Sequence, residues 1–403
     1  MYTDWHPPVF AALWRLVNTV WNGITGMQAT GSGVLFTLHV LMLWGGMGLL
    51  VRAGEGFFTC FTGTARWKFC LPLGLLIFLC LFKILPISTR FFKDPAMMAS
   101  YVFAVGILFN FPEKPVFKVI AGALCILALF YGTAVRHNAV FAVAPLLFLL
   151  AAKLCPQLRL GKLLLTSLLL LGTLLLSIHY VNYTFLDMKK QNSVQEVFYA
   201  DMWRLNYITN TFDLPPHVDR GGLNILTKDI FFRFYDEKPT LATRSFKYSN
   251  AYYHDSPIEV VQLRNAYTTD DILLLYKAWI QKITKHPWQY IIILHKIFKE
   301  MLGKYYFMGF SGISYYIVVF IAIGILIWKS VKKYAIRNIA PYCVIFSGLL
   351  YVLPYMVFVM DVQRRFLYWF FFASFLGITW IAGIALKKWL RGVENGFENE
   401  VGA

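Results

Sequence analysis

Residues 93–154 read KDPAMMASYVFAVGILFNFPEKPVFKVIAGALCILALFYGTAVRHNAVFAVAPLLFLLAAKL, and this stretch decides the fold. It holds three apolar runs, 96–112, 115–135 and 138–154, separated by short polar turns. A helix needs roughly 17–25 apolar residues to cross a bilayer. The pattern therefore predicts three consecutive transmembrane helices that run back and forth through a membrane.

Further runs of this kind lie on both sides, near 32–51, 69–87, 163–181, 313–328, 339–360 and 366–386. Together they predict an all-α polytopic membrane protein with about nine transmembrane helices. The composition agrees, because 58% of the 403 residues are hydrophobic and 15% are charged. Soluble domains have about 45–50% apolar and about 25% charged residues. This apolar excess excludes a single soluble globular core.

The net charge of +17 would suggest a nucleic-acid partner in a soluble protein. In a membrane protein it follows from the excess of Lys and Arg in cytoplasmic loops, so we expect no nucleic-acid partner. Alternation through the predicted spans places fifteen basic residues of the short loops on one face and five on the other, namely Arg90, Lys93, Arg136, Arg364 and Arg365. The richer face is predicted to be cytoplasmic.

The chain divides into five segments by composition. Residues 8–22 have apolar positions at helical spacing, with Trp14 and Trp21 suited to headgroup depth, which predicts an interfacial helix. Helical periodicity also marks 270–283 and 287–303. The predicted segments are an external loop with the amphipathic helix (1–31), about six spans (32–181), a mixed, mostly helical extracytoplasmic domain (182–312), three spans (313–388) and a cytoplasmic tail (389–403).

Ionisable and polar residues gather on the predicted external face, at the ends of the spans. They are Asp4, His6, Lys93, Asp94, Arg136, His137, Asn138, Asp361, Arg364 and Arg365. Charged groups at membrane depth are costly and mark a site or a pathway. The carboxylates suit acid–base or metal chemistry, and the cations suit a phosphate group.

Each group also has a structural interpretation. Asp4 and Asp94 both precede prolines, a pattern typical of a helix N-terminus. Residues 136–138 also fit a polar turn between two spans. His6 and His137 lack a metal-ligand spacing and are more typical of hydrogen-bonding partners. The pair Arg364–Arg365 runs against the charge bias of the loops, which favours a functional role.

Three short motifs resemble the GT-C type integral-membrane glycosyltransferases, which use polyprenyl-phosphate-linked sugars and include protein mannosyltransferases and the lipid A aminoarabinose transferase. The opening YTDWHPPVFAALWRL (2–16) resembles their first external loop and juxtamembrane helix. KDPAM (93–97) resembles their second acidic position, and RHNA (136–139) followed by Pro145 resembles a turn of a bacterial subgroup. The resemblance covers roughly residues 1–180, and the rest matches in architecture alone.

The resemblance implies an inverting glycosyltransferase of the bacterial inner membrane, with an extracytoplasmic active site and a lipid, glycan or protein acceptor. On this reading we expect Asp4 to act as the general base on the acceptor hydroxyl or amine, or to hold the acceptor through a hydrogen bond. We expect Asp94 to orient the acceptor or to share a divalent metal, Mg²⁺ or Mn²⁺, with Asp4. Family members use such a metal variably. The remaining residues are implied to bind substrate: Arg136, Arg364 and Arg365 the leaving phosphate, Lys93 as a point charge, and His6, His137 and Asn138 as further contacts.

One departure and three alternatives stay open. A transmembrane helix precedes the first external loop in that family, whereas three residues precede Asp4 here, so we expect a truncated N-terminus or a misassigned start. A degenerate, inactive homologue is one alternative. A lipid-linked glycan transporter is another, although transporters place ionisable groups near the midplane and often contain inverted repeats. The third is a non-catalytic membrane assembly component.

Overall fold

A computed structural model describes residues 8–26, 32–58, 93–136, 138–188, 195–213, 269–303, 306–307, 310–311, 339–357, 367–381 and 383–384. Within these residues the chain is helical, apart from an antiparallel pair of two-residue strands, β1 (Tyr306–Phe307) and β2 (Phe310–Ser311). The prediction of an all-helical fold is confirmed at this level.

Most of the described helices follow the predicted runs to within a few residues. The helix that begins at Ser32 ends at Phe58, seven residues beyond its run, and no run predicted the helix Gln195–Thr209. The N-terminal half contains α1 (Pro8–Thr25), α2 (Ser32–Phe58), α3 (Lys93–Phe109), α4 (Pro115–Ala134), α5 (Ala139–Leu154) and α6 (Leu160–His179), which continues as a π-helical turn (Tyr180–Phe185). The C-terminal half contains α7 (Gln195–Thr209), α8 (Thr269–Lys285), α9 (Pro287–Gly303), α10 (Ala340–Val357) and α11 (Tyr368–Ile381). The predicted runs 69–87 and 313–328 lie outside the described residues.

The described helices fall into two compact units. The bundle unit contains α1 to α6, α10 as far as Val352, and α11, whereas the second unit contains α7 to α9. Among the described residues of the bundle unit, three stretches are long and apolar enough to cross a membrane: Gly33–Gly54, Pro115–Ala134 and Leu160–Phe185. Ala139–Leu154, Ala340–Pro354 and Tyr368–Ile381 are shorter apolar helices.

The outer surface of the bundle unit is apolar. Val116 and Val119 of α4 and Leu168 and Leu176 of α6 are exposed, together with several of their neighbours. Exposing such side chains to water forfeits about 25 cal/mol for each Å² of apolar surface, whereas exposing them to lipid carries no such loss. This surface is therefore consistent with a helical bundle surrounded by hydrocarbon.

Helix α3 lies at the centre of the bundle unit, and between Ala96 and Leu108 every residue except Phe103 is buried. It approaches α2 closely through glycine. A Cβ atom built on Gly46 would lie 2.7 Å from the backbone of Phe103, and one built on Gly106 would lie 2.7 Å from the Gly46 carbonyl oxygen. Small residues allow membrane helices to pack backbone against backbone.

The contacts of α3 also give the helix directions. Helix α2 runs parallel to α3, because Gly46 lies beside Phe103 and Leu49, one turn further on, accepts a 2.5 Å hydrogen bond from Asn110. Helix α11 is also parallel to α3. The ring of Trp369 packs on Tyr101 with the centroids 5.1 Å apart, and that of Trp380 packs on Phe109 at 4.4 Å.

Helix α4 runs antiparallel to α3, since the Cys125 thiol lies 3.9 Å from the Ala104 carbonyl oxygen while Arg136, which follows α4, reaches Asp94. The starts of α3 and α11 and the C-terminal end of α4 therefore share one end of the bundle unit. We call it the Asp94 end.

Replacing Gly46 tests the close packing of α2 on α3. We expect Gly46→Leu to lower the thermal stability of the detergent-solubilised protein markedly, because the new side chain collides with the backbone of α3. Overpacking of a core costs about 1–3 kcal/mol or more. Gly48→Leu is the matched control, since a Cβ at Gly48 meets nothing within 4 Å. Equal melting temperatures for the two variants would contradict the described packing.

Candidate functional site

A buried ion pair lies at the Asp94 end. Arg136 Nε is 2.8 Å from Asp94 Oδ1, and the two side chains are 11% and 2% exposed. The sequence suggests Asp94 as a helix N-cap, but α3 begins one residue earlier, at Lys93, so Asp94 lies in the first turn. A carboxylate is favoured there by the positive end of the helix dipole. Arg136 belongs to the turn that joins α4 to α5.

Because the pair is buried, each charge depends on the other for compensation. Removing one partner of a buried ion pair costs about 3–5 kcal/mol, because the other charge is left uncompensated in a medium of low dielectric constant. The pair therefore holds the guanidinium group beside the carboxylate. A purely structural clamp between α3 and α4 would have the same geometry.

Tyr101 holds the turn that carries Arg136. Its side chain is fully buried, and its hydroxyl donates to the Ala139 carbonyl oxygen at 2.9 Å and lies 2.9 Å from Thr133 Oγ1. Thr133 is near the end of α4 and Ala139 begins α5, so one α3 side chain bridges both sides of the turn. Gly132 makes room for it, because a Cβ there would lie 2.7 Å from the Tyr101 ring.

Helices α10 and α11 join the same network through Trp369. The indole ring packs edge-on against Tyr101, at an interplanar angle of 82°. Its Nε1 donates to Ser347 Oγ at 3.0 Å, and Ser347 Oγ donates to the Ala142 carbonyl oxygen at 2.6 Å. Side chains from distant parts of the sequence therefore brace the Asp94 end.

Helix α1 is attached to the bundle through a histidine. Nε2 of His39 and the hydroxyl oxygen of Tyr131 are hydrogen-bonded at 2.7 Å, and the ring of Phe10 stacks on His39 with the centroids 6.0 Å apart. Sequence reasoning missed this joint. The available signal was one ionisable residue within the apolar run 32–51, since such residues are rare inside membrane helices.

The structure describes four of the nine predicted site residues. It joins Asp94 to Arg136, places Lys93 at the start of α3, and places Asn138 directly before α5 without a capping hydrogen bond from its side chain. The predicted site residues outside the described part of the chain are Asp4, His6, His137, Arg364 and Arg365. Within the described part, no group of three or more His, Cys, Asp or Glu side chains could hold a metal ion.

A second buried polar cluster joins the three helices of the α7–α9 unit. Asp201 Oδ2 accepts hydrogen bonds from Trp279 Nε1 at 3.1 Å and from the Tyr290 hydroxyl at 2.9 Å, and Arg204 Nη1 lies 3.4 Å from Asp201 Oδ1. Burial raises the pKa of Asp201 to about 6, although Arg204, Tyr290 and Trp279 act in the opposite direction. Sequence reasoning missed this cluster, because Trp279 and Tyr290 are 78 and 89 positions away from Asp201.

Lys282 forms a further polar contact in the same unit. Its ammonium group donates to Asn206, to Thr211 Oγ1 at 3.1 Å and to Asp213 Oδ2 at 2.6 Å. The hydrogen bond that Asp213 accepts from Lys282 lowers the pKa of the Asp213 carboxyl group. The contact ties α8 to the C-terminal end of α7.

Removing the Tyr101 hydroxyl tests its hold on the Arg136 turn. We expect Tyr101→Phe to destabilise the protein by about 1–3 kcal/mol, the cost of leaving a buried hydrogen-bonding group unsatisfied. Amide hydrogen exchange over residues 135–139 should accelerate. Tyr180→Phe, at an exposed tyrosine of the π-helical turn that follows α6, is the control. Equal melting temperatures and equal exchange for the two variants would contradict the role of Tyr101.

The buried Asp201 carboxyl group predicts a pH dependence. Its pKa is about 6 in the folded protein and about 3.9 in an unfolded chain. The folded form therefore holds the proton more tightly, and rising pH between these values lowers the free energy of unfolding. Asp213 stays ionised above about pH 4.5, because Lys282 lowers its pKa.

We expect the opening free energy of α7, from hydrogen exchange corrected for intrinsic rates, to fall by about 2 kcal/mol between about pH 4.5 and 7. Asp201→Asn keeps the side-chain shape and removes the titrating proton, so its profile should be flat in this range. Parallel profiles for the wild type and the variant would contradict this assignment.

The chain was compared with known proteins at three levels. No protein-family model, no curated protein and no solved structure matches it. The glycosyltransferase resemblance therefore remains a prediction that depends on the three quoted motifs.

Proposed function

We propose that this chain is an inverting membrane glycosyltransferase that moves a sugar from a polyprenyl-phosphate donor to a lipid, glycan or protein acceptor at the extracytoplasmic face of a bacterial inner membrane. The observation that carries the proposal is the buried Asp94–Arg136 pair. It fixes an arginine at one end of an apolar helical bundle, where a lipid-linked phosphate would arrive.

The helix directions support the nine-span topology behind this proposal. Parallel neighbours such as α2 and α3 are expected when one further span separates them in the sequence, and the sequence predicts such a span at 69–87. Nine alternating spans also require the third and the last to be parallel, and α3 and α11 are parallel. The Asp94 end is then the external end.

Arg136 is proposed to bind the leaving phosphate. A guanidinium group matches phosphate oxygens bidentately, and its charge stabilises the negative charge that develops as the bond between sugar and phosphate breaks. Arg364 and Arg365 are proposed to assist, because they lie four and three residues before Tyr368 in the sequence and α11 begins at the Asp94 end. Lys93, His6, His137 and Asn138 are proposed as further substrate contacts.

Asp94 is proposed as a positioning residue, since it holds Arg136 through Nε. Its pairing with a guanidinium cation does not fit the suggested role as a metal ligand, because a second cation would compete for the same carboxylate. The proposed reaction therefore contains no step through Mg²⁺ or Mn²⁺.

Asp4 is proposed as the general base. It would accept the proton of the acceptor hydroxyl while the acceptor oxygen attacks the anomeric carbon, and the phosphate would leave with the bonding electrons and invert that centre. A base must lie about 2.6–3.2 Å from the oxygen that carries the proton.

Transport of a lipid-linked glycan is the second candidate. It is favoured by the pair His39–Tyr131, which places an ionisable side chain within a helix long enough to span the membrane. A transporter would move the donor lipid between leaflets without cleaving it.

The experiment is sugar transfer in proteoliposomes, from radiolabelled undecaprenyl-phosphate sugars to membrane lipid fractions. We expect Arg136→Lys to lower kcat/KM about 10- to 100-fold, because the bidentate contact is lost and about 1.4 kcal/mol corresponds to a factor of ten. The melting temperature should change little, since Lys keeps a cation opposite Asp94. Arg159 is an exposed arginine at the opposite end. Arg159→Lys is therefore the matched control and should leave kcat/KM unchanged.

Asp4→Asn tests the general base in the same assay and should abolish transfer. Wild-type activity in Asp4→Asn would reject that role. Equal kcat/KM for Arg136→Lys and Arg159→Lys would reject phosphate binding by Arg136. Movement of intact donor between leaflets, without transfer, would favour the transporter.

A further inference from the structure

Helix α9 has one face occupied by its own unit. Tyr290, Ile293 and Ile297 are almost fully buried, and the Tyr290 hydroxyl donates to Asp201 of α7. These three residues recur at helical spacing, so they define the inner face of the helix.

The opposite face of α9 is exposed and has an unusual composition. Trp288, Ile291 and Ile292 are 73%, 53% and 46% exposed. The exposed residues continue along the helix as His295, Lys296 and Lys299. At 100° per residue all six fall within an arc of about 140°. We call them the outer stripe.

The order of residues along the outer stripe is typical of a helix that lies on a membrane. Its first half presents a tryptophan and two isoleucines, and its second half presents a histidine and two lysines, whereas α9 contains one acidic residue, Glu300. Tryptophan is enriched at headgroup depth. Lysine keeps its ammonium group near anionic headgroups while its aliphatic stem covers apolar surface. The charge of the stripe therefore complements an anionic lipid surface.

The predicted span 313–328 follows α9 after a short connection in the sequence. Gly303 lies ten residues before the predicted span 313–328. Ten residues reach at most about 36 Å even when fully extended. The basic end of the outer stripe is the end nearer that span in the sequence.

We propose that the outer stripe of α9 docks into the headgroup layer of an anionic bilayer, with Trp288, Ile291 and Ile292 inserted among the acyl chains near the headgroups. This contact with the bilayer holds the α7–α9 unit at the membrane surface. It is independent of glycosyl transfer and holds for an enzyme or a transporter.

The test places an environment-sensitive fluorophore on the stripe. Ile291→Cys is labelled with a nitrobenzoxadiazole group and reconstituted into vesicles of phosphatidylcholine with or without a quarter of phosphatidylglycerol. We expect blue-shifted emission, quenching by nitroxide-labelled lipids that is stronger with phosphatidylglycerol, and weak quenching by aqueous iodide. Gln281→Cys, at an exposed polar position of α8, should be quenched by iodide. The wild-type chain taken through the same labelling gives the background.

A charge variant tests the lipid preference. Adding Lys296→Glu and Lys299→Glu to the labelled chain should remove the extra quenching that phosphatidylglycerol produces. Iodide access at position 291 in both lipid mixtures would overturn the proposal. Shielding from iodide without quenching by the nitroxide lipids would also overturn it, because a protein surface would then cover the stripe. If the charge variant does not fold, Ile291→Cys alone decides between these outcomes.

Discussion

The buried ion pair of Asp94 and Arg136 restricts the positions of the two elements that carry it. Neither charge tolerates transfer from water into an apolar bundle alone, and together they still lose solvation that only good geometry offsets. The bundle must therefore hold the carboxylate and the guanidinium group within contact distance, 2.8 Å between Oδ1 and Nε. The first turn of α3 supplies one group and the α4–α5 turn supplies the other, so these two elements cannot shift independently.

The neighbouring contacts follow from that constraint. Tyr101 bonds to both sides of the α4–α5 turn, and Trp369 packs against Tyr101. Each hydrogen bond contributes only about 1 kcal/mol net, but each one restricts the position of the next group. At the other side of α3, Gly46 and Gly106 let the backbones of α2 and α3 approach closely. An arginine in such a frame is preorganised, which is what electrostatic stabilisation of a leaving phosphate requires.

Local patterns in the sequence predicted the helices well and the side-chain partners poorly. The runs 115–135 and 138–154 correspond to α4 and α5 within one residue at each end, because apolar length and the flanking Pro115 and Asn138 are local signals. Asp94 and Arg136 were both recognised as site residues, yet they were assigned to different substrates. Their contact joins positions 42 apart, and helical periodicity carries no information on which distant residue faces which.

The same reasoning explains why the buried clusters were missed. Asp201 and Arg204 resemble an ordinary i, i+3 pair on a solvated helix, and only the burial of both shows that they belong to a core. Tyr101 is one aromatic residue among many in an apolar run. Its importance comes from Gly132, Thr133 and Ala139, which create a slot for its ring and partners for its hydroxyl. A buried polar group pairs with one particular partner when its surroundings offer it no other. In an apolar bundle that exclusion is nearly complete, so a few hydrogen bonds at the Asp94 end are sufficient to fix the site.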